Sequence, residues 1–330
     1  CFQAGDGIRY GTVTGVQTCA LPIFEGLRAP EAITRHMRGV HATADVQAVV
    51  RGPLSRPLVE GRMAGRIAGT HVSGLSAPRP ASVNAAFSWA PNDLRASAVI
   101  AAPALHWKGH SASNLRANVA LAGSRLDADV RALYMGAATA ARANITLHEG
   151  APGYRVIART RGLDIAMIPE LADYRLQGEA SVDLTMESPR LEQTPRGQAV
   201  ASIANAWIEG LHVGHITANL ASDGRRVAVQ PFEVFGPPGR AIVAGTVDLA
   251  DRTLDLTAEA SQMNLALLLR DYVDGRVGGT AYANALHISG PIEEPRIAGQ
   301  VQVYGPYFND YSSEYAQLTV EGDRRTLKIL

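Results

Sequence analysis

Val247-Asp248-Leu249-Ala250-Asp251-Arg252-Thr253-Leu254-Asp255-Leu256-Thr257-Ala258 is the stretch whose reading decides the fold. Apolar residues recur at every second position on both sides of Ala250-Asp251-Arg252, with Asp248 and Asp255 between them. A period of two sends alternate side chains to opposite faces of a strand, whereas a helix needs apolar residues three and four apart. The stretch therefore predicts two half-buried antiparallel strands joined by a tight turn. The same alternation appears in Val182-x-Leu184-x-Met186, Val227-x-Val229 and Val301-x-Val303, with Asp183, Thr185, Ala228 and Gln302 on the other parity. Asp223-Gly224, Glu149-Gly150 and Glu321-Gly322 supply the positive-φ residue that a tight hairpin requires. Val182, Leu184, Met186, Val227, Val229, Val247, Leu249, Leu254, Leu256, Val301 and Val303 are thus expected on one apolar face of a hairpin ladder.

Comparing the chain with itself reveals a longer period. Gly52-Pro53-Leu54-Ser55-Arg56-Pro57-Leu58-Val59-Glu60-Gly61 matches Gly290-Pro291-Ile292-Glu293-Glu294-Pro295-Arg296-Ile297-Ala298-Gly299, and 188–197 is a degenerate third copy. Pro53, Pro189 and Pro291 each precede a glycine by eight residues, so successive units are 136 and 102 residues long. Ile67–Leu75 and Ile203–Leu211 obey the offset of the first two copies. Leu163–Ile168 resembles Met263–Leu268, and Asp164 and Asn264 are good N-caps, so one short helix is expected before each of the later landmarks. Glu31–Arg38, after Pro30, is the corresponding candidate before the first. The landmark prolines are expected at turns and strand edges, because proline removes a ladder donor.

The chain has 330 residues, 31 basic and 31 acidic, with 46% hydrophobic and 6% aromatic residues, a folded and electrically neutral composition. Neutrality argues against nucleic acid as a partner, since phosphate neutralisation needs a basic excess. No uncharged apolar run reaches the ~18 to 20 residues that span a bilayer. The longest, Ala96–Trp107, contains Pro103 and His106. Residues 13–23, Val-Thr-Gly-Val-Gln-Thr-Cys-Ala-Leu-Pro-Ile, resemble the translation of a common short-read sequencing adapter, so 1–23 is expected to be a disordered artefact. Both cysteines, Cys1 and Cys19, lie inside it. The remainder therefore offers no disulfide, thiolate nucleophile or cysteine-based zinc site.

A strand ending in Gly-Pro, then x-x-x-Pro-x-apolar-x-Gly and another strand, repeated every hundred or so residues, resembles the AsmA-like superfamily and its TamB branch, over residues 24–330. The resemblance implies an all-β fold: a long, curled antiparallel β-sheet forming a repeating β-groove with a few short helices, here one continuous fragment cut at both ends. It also implies the periplasm of a diderm bacterium, with an inner-membrane anchor outside this fragment. The implied function is non-enzymatic: transport of phospholipid between inner and outer membranes, or, alternatively, translocation and assembly of outer-membrane proteins with a barrel assembly protein as partner. Independently of the family, a sheet with one apolar face must bury that face against something, and two or three short helices cannot cover some two dozen strands. An apolar set of Ala, Val, Leu and Ile suits flexible acyl chains, and the scarcity of aromatics gives little for stacking on sugars or bases. The groove is therefore expected to be open to phospholipid.

Other chemistry is weaker. His212 and His215, three apart in a strand, face opposite sides, which argues against a metal site. His106 and His110 would share a strand face with no completing ligand. Asp127 and Asp129 alternate with Leu126, Ala128 and Val130, the pattern of a polar strand face rather than an acid–base pair. Gly278-Gly279 aligns with Gly178 and is expected at a bulge rather than a phosphate loop. Tyr304, Tyr307, Phe308, Tyr311 and Tyr315 form one aromatic cluster, expected to pack at a loop. A β-solenoid or adhesin stalk would show repeats of ~20 to 30 residues, and a polysaccharide-active enzyme would show clustered carboxylates with aromatic platforms. Neither pattern is legible. No cofactor is expected.

Overall fold

The computed structural model describes residues 18–20, 24–27, 40–53, 55–69, 75–91, 93–147, 152–190, 193–323 and 327–329. It divides into two compact units, residues 1–156 with 189–191 and residues 157–188 with 192–330. Both are all-β, as the alternation predicts.

The strands of unit 1 are β1 (Thr18–Ala20), β2 (Phe24–Leu27), β3 (Val40–Arg51), β4 (Leu58–Gly69), β5 (Leu75–Ser76), β6 (Ala81–Ala90), β7 (Asp93–Trp107), β8 (His110–Ala122), β9 (Arg125–Tyr134) and β10 (Ala137–Thr146). From β3 to β10 the long strands form an open antiparallel meander, each paired with the long strand before and after it. Thr18–Ala20, within the stretch expected to be extraneous, pairs with Val49–Arg51 on the outer side of β3. Gly153–Asp164 (β11) spans the boundary between the units.

Unit 2 continues with β12 (Leu176–Ser188), β13 (Arg196–Ile208), β14 (Leu211–Ser222), β15 (Arg226–Gly236), β16 (Gly239–Asp248), β17 (Thr253–Asn264), β18 (Val277–Pro291), β19 (Arg296–Phe308), β20 (Tyr311–Ser312), β21 (Tyr315–Gly322) and β22 (Leu327–Ile329). The pairing is again antiparallel from neighbour to neighbour. Among the described residues of this unit, helical structure is confined to one end of the strands. Ile165–Met167 and Pro169–Tyr174 are short 3-10 turns, and Leu265–Leu268 is one turn of α-helix. Both expected caps are present: the Ala166 amide donates to the Asp164 carboxylate at 3.0 Å and the Leu267 amide to the Asn264 side chain at 3.3 Å. Glu31–Arg38, the third candidate, lies outside the described residues.

The landmark repeat is a repeat of conformation. Gly52 and Gly290 have φ of +90° and +99°, a region that costs an L-residue steric strain. A turn then closes by the Arg56 amide donating to the Pro53 carbonyl at 2.9 Å and the Glu294 amide to the Pro291 carbonyl at 3.1 Å. The glycine eight residues after each proline has a different purpose. A Cβ at Gly61, Gly197 or Gly299 would come closer than 3.0 Å to the carbonyl oxygen of Gln47, Thr185 or Ala285 on the preceding strand. The motif therefore specifies a hairpin with one left-handed corner and one close strand approach. All three copies join consecutive strands: β3 to β4, β12 to β13 and β18 to β19. Glycines 178 and 279 lie at register shifts, as expected. Gly322 does not turn the chain: it ends β21, opposite Ile297 and Leu327.

Candidate functional site

Directly opposed residues of an antiparallel pair share a face, so the registers trace the apolar side of unit 2 residue by residue. One row runs Leu184, Ala199, Leu220, Val229, Gly245, Leu256, Ile288 and Ile297. Met186, Gly197, Ser222, Val227, Val247 and Leu254 form the next. Val182, Ala201, Ala218, Phe232, Val243, Ala258, Leu286 and Gly299 flank the first on its other side. Val301 and Val303 continue the parity of Gly299 along β19 and oppose Leu318 and Ala316. Of the eleven residues expected on this face, ten are on it. Leu249 is not: β16 ends at Asp248, and Leu249 occupies the following turn, 45% exposed, with its amide donating to the Arg225 carbonyl at 2.9 Å.

The sequence reading missed Leu220, Phe232, Val243, Leu286, Ile288, Ile297, Leu318 and Val320. β-Bulges account for Phe232, Leu286 and Ile288, whereas Leu220, Val243, Ile297, Leu318 and Val320 share the parity of the residues beside them on the face. The pairing of β15 with β16 shifts between Val229 and Phe232, and that of β18 with β19 between Tyr282 and Leu286, so the parity of the apolar face changes inside a strand. Phe232-x-Val234 and Leu286-x-Ile288 carry their own local alternation, which is the signal that identifies them.

Burial gives the face its character. Along β17 shielded and exposed residues alternate, with Leu254, Leu256 and Ala258 half-buried and Asp255, Thr257 and Glu259 exposed. The contrast persists for a single residue type: Val182 is half-buried, whereas Val200, on the polar parity of β13, is 52% exposed. A flat single layer would expose equivalent side chains equally on both sides. The apolar side is therefore the inside of the bend. It is not sealed, for among the described residues no large side chain is fully buried. Unit 1 repeats the pattern in the row Ala48, Gly61, Phe87, Ala96, Leu121, Leu126 and Ile145, with Phe87 standing over Gly61.

One end of the unit 2 trough is filled by the protein itself. Ala206, Val213 and Ile216 are buried there, with Ile203, Ile208, Leu211, Phe232 and Val234 packed against them. Leu163 and Ile165 are buried beside β12, and the turn Leu265–Leu268 packs on β18, where Ala281 and Ala283 are buried. The strand ends carrying the helical turns are thus plugged, and the rows from Val182 to Met186 outward stay half-exposed.

The polar face holds charge ladders. Asp127 is held below the ordinary carboxylate range chiefly by the Asn144 amide donating to it, with Arg125 and Arg142 assisting, and Asp129 accepts from Arg142 at 2.7 Å. These carboxylates are partnered strand residues and face no enclosed cavity. A depression of about 480 Å³ on the same face of unit 1 is lined by Arg62, Asn84, Asn118, Asp127 and Asp129 among small residues, and one of about 840 Å³ by Gln47, Glu60, Arg62, Ser88 and Arg95 among others. Both are wide and open. His106 and His110 do not share a strand, because the chain turns at Lys108-Gly109; His110 stacks between Trp107 and Tyr134, with the Tyr134 hydroxyl 2.7 Å from its Nδ1. His212 stacks on Trp207 at 4.8 Å, and His215 opposes Phe235. Among the described residues, no three His, Cys, Asp or Glu side chains gather as a metal site, and no helix is long and apolar enough to cross a membrane.

The landmark hairpins and the half-shielded trough define the chain as a repetitive, open antiparallel β-sheet protein with one apolar face. No family model, curated protein or solved structure matches it.

Proposed function

We propose that the trough shields the acyl chains of phospholipid in transit between two membranes, as a non-enzymatic segment of an AsmA-like, TamB-type envelope protein. The observation that carries this reading is the continuous row from Leu184 to Ile297, eight strands wide, uncharged and half-exposed. Seven strand spacings make it roughly 34 Å across. That is about twice the ~15 Å depth of one leaflet's hydrocarbon, room for an extended acyl chain lying across the strands. Transfer of each methylene from water is worth about 0.8 kcal/mol, so partition alone holds the ligand and no covalent step is required. A contiguous apolar face left half-exposed across eight strands is the kind of surface that marks a binding site. On this reading the chain works in the periplasm of a diderm bacterium, anchored in the inner membrane by a segment outside it.

The test is mass spectrometry of lipid extracted from the gently purified chain. Phospholipid is expected at stoichiometric level, and Leu184→Asp or Leu256→Asp is expected to reduce it severalfold while the circular dichroism stays that of a β-sheet. A lipid-free protein, or unchanged lipid in both variants, refutes the proposal.

A further inference from the structure

Three tyrosines far apart in the sequence meet on the opposite face of unit 2. Tyr304 lies directly across from Tyr315 on β21, and Tyr282 on β18 lies across from Gln302. These residues alternate with Val301 and Val303, so they point away from the apolar trough. The Tyr282 and Tyr304 rings meet edge to face, 5.6 Å apart at 89°, and Tyr304 and Tyr315 are 5.3 Å apart at 61°. Tyr304 and Tyr315, expected to pack at a loop with Tyr307, Phe308 and Tyr311, are instead open, 51% and 43% exposed.

The aromatic corner borders two abutting depressions. One, of about 350 Å³, is lined by Tyr282, Asn284, Gln302 and Tyr304. The other, of about 280 Å³, shares Tyr282, Asn284 and Gln302 and adds Ala285, Gly299 and Gln300. No ionisable group other than tyrosine lines either. Gln300 accepts from the Gln317 side chain at 3.2 Å, and the Tyr315 hydroxyl donates to Gln317 at 3.3 Å. Among the described residues, the Asn284 and Gln302 amides and the Tyr282 and Tyr304 hydroxyls make no hydrogen bond to protein.

We propose that this surface binds a neutral oligosaccharide chain. A pyranose ring presents a face of C–H groups, which is drawn to the negative face of an aromatic ring, and a rim of hydroxyls. Each hydroxyl both donates and accepts, and so does each side-chain amide. Planar amides beside tyrosine rings therefore match a sugar better than a proline-rich peptide, whose exposed polar groups are mostly carbonyl acceptors. The absence of Lys and Arg from the lining removes the attraction that a nucleic acid or an anionic polymer needs. Two contiguous depressions sharing one wall fit successive residues of a chain rather than a single sugar. Sequence reading singled out Tyr304 and Tyr315 but missed Tyr282, Asn284 and Gln302, because the corner comes from β18, β19 and β21, joined only by cross-strand register.

The experiment is isothermal titration of the full chain with hexasaccharides of β-1,4-linked glucose, α-1,4-linked glucose and β-1,4-linked N-acetylglucosamine, and with decaproline. At least one hexasaccharide is expected to bind, and Tyr304→Ala to weaken it about tenfold, the loss of one aromatic contact. Gln302→Ala, which leaves the ring cluster intact, is expected to weaken the same sugar with an unchanged circular dichroism spectrum, so misfolding of the tyrosine variant leaves the question decidable. Absence of binding to all three sugars, sugar binding indifferent to Gln302→Ala, or binding of decaproline alone overturns the proposal.

Discussion

An alanine methyl at position 197 would meet the Thr185 carbonyl oxygen and the Cα of Met186 on the neighbouring strand, neither of which is the free end of a side chain. The strands must separate to admit it, and overpacking of this kind costs about 1 to 3 kcal/mol. Gly123 provides the comparison: its φ is +57°, and nothing lies within 4 Å of an added Cβ, so Gly123→Ala meets only the left-handed penalty of about 1 kcal/mol. Urea denaturation is expected to give a lower midpoint for Gly197→Ala than for Gly123→Ala, and equal midpoints would remove the close-approach account of the motif glycine. The spacing of that glycine was legible from the sequence, since it recurs eight residues after each landmark proline. Its reason was not, because the clashing carbonyl belongs to another strand. Leu249 marks the same limit. Its parity matches Val247, and only the carboxylate turn after Asp248 takes it off the ladder.

At the scale of elements, adjacent hairpins at the landmark end of unit 2 are tied by their turns. Asp223 accepts from the amides of Arg226 at 2.7 Å and Arg225 at 2.8 Å, and these two bonds are the largest influences lowering its pKa. Asp248 is lowered first by the Asp251 amide, with Arg226, the Ala250 amide and Arg225 adding to it against the opposing effect of burial. Arg225 reaches on to Asp251 at 3.1 Å, joining the turn of β14 and β15 to that of β16 and β17. A carboxylate with a depressed folded pKa stabilises fully above its unfolded value, near 3.9 for Asp, and that stability disappears as pH falls through the lower folded value. The melting temperature of Asp223→Ala is therefore expected below that of the parent at pH 7, with the gap closing as pH falls from about 4 through the acid range. A gap constant across that range would contradict the linkage. The alternation that predicted these hairpins found their number and faces well, because one buried parity is written into each strand. It failed where bulges at Phe232 and Leu286 switch parity, since a bulge is decided by the partner strand.

For the whole molecule, the consequence of a meander is that order propagates from neighbour to neighbour. Each long strand of a unit draws its main contacts from the strands before and after it, and among the described residues no pairing closes either unit on itself. Stability in such an array is a sum of local strand terms and neighbour interfaces rather than one indivisible core. Alanine-rich buried positions and the absence of any fully buried large side chain among the described residues point the same way, since no central residue is shared by all strands. A defect in one place should therefore be felt locally. Hydrogen exchange of Gly197→Ala is expected to show lost protection in β12, β13 and β14, a decline of the effect across β15 to β19, and protection in β6 to β9 equal to that of the parent. Uniform loss over both units would mean that the chain opens as one cooperative body, and neighbour-limited order would have to be abandoned. The acyl-chain reading shares this dependence. On that reading, local stability is what lets the rows from Val182 to Met186 part around an acyl chain while the plugged end at Ile216 holds the register.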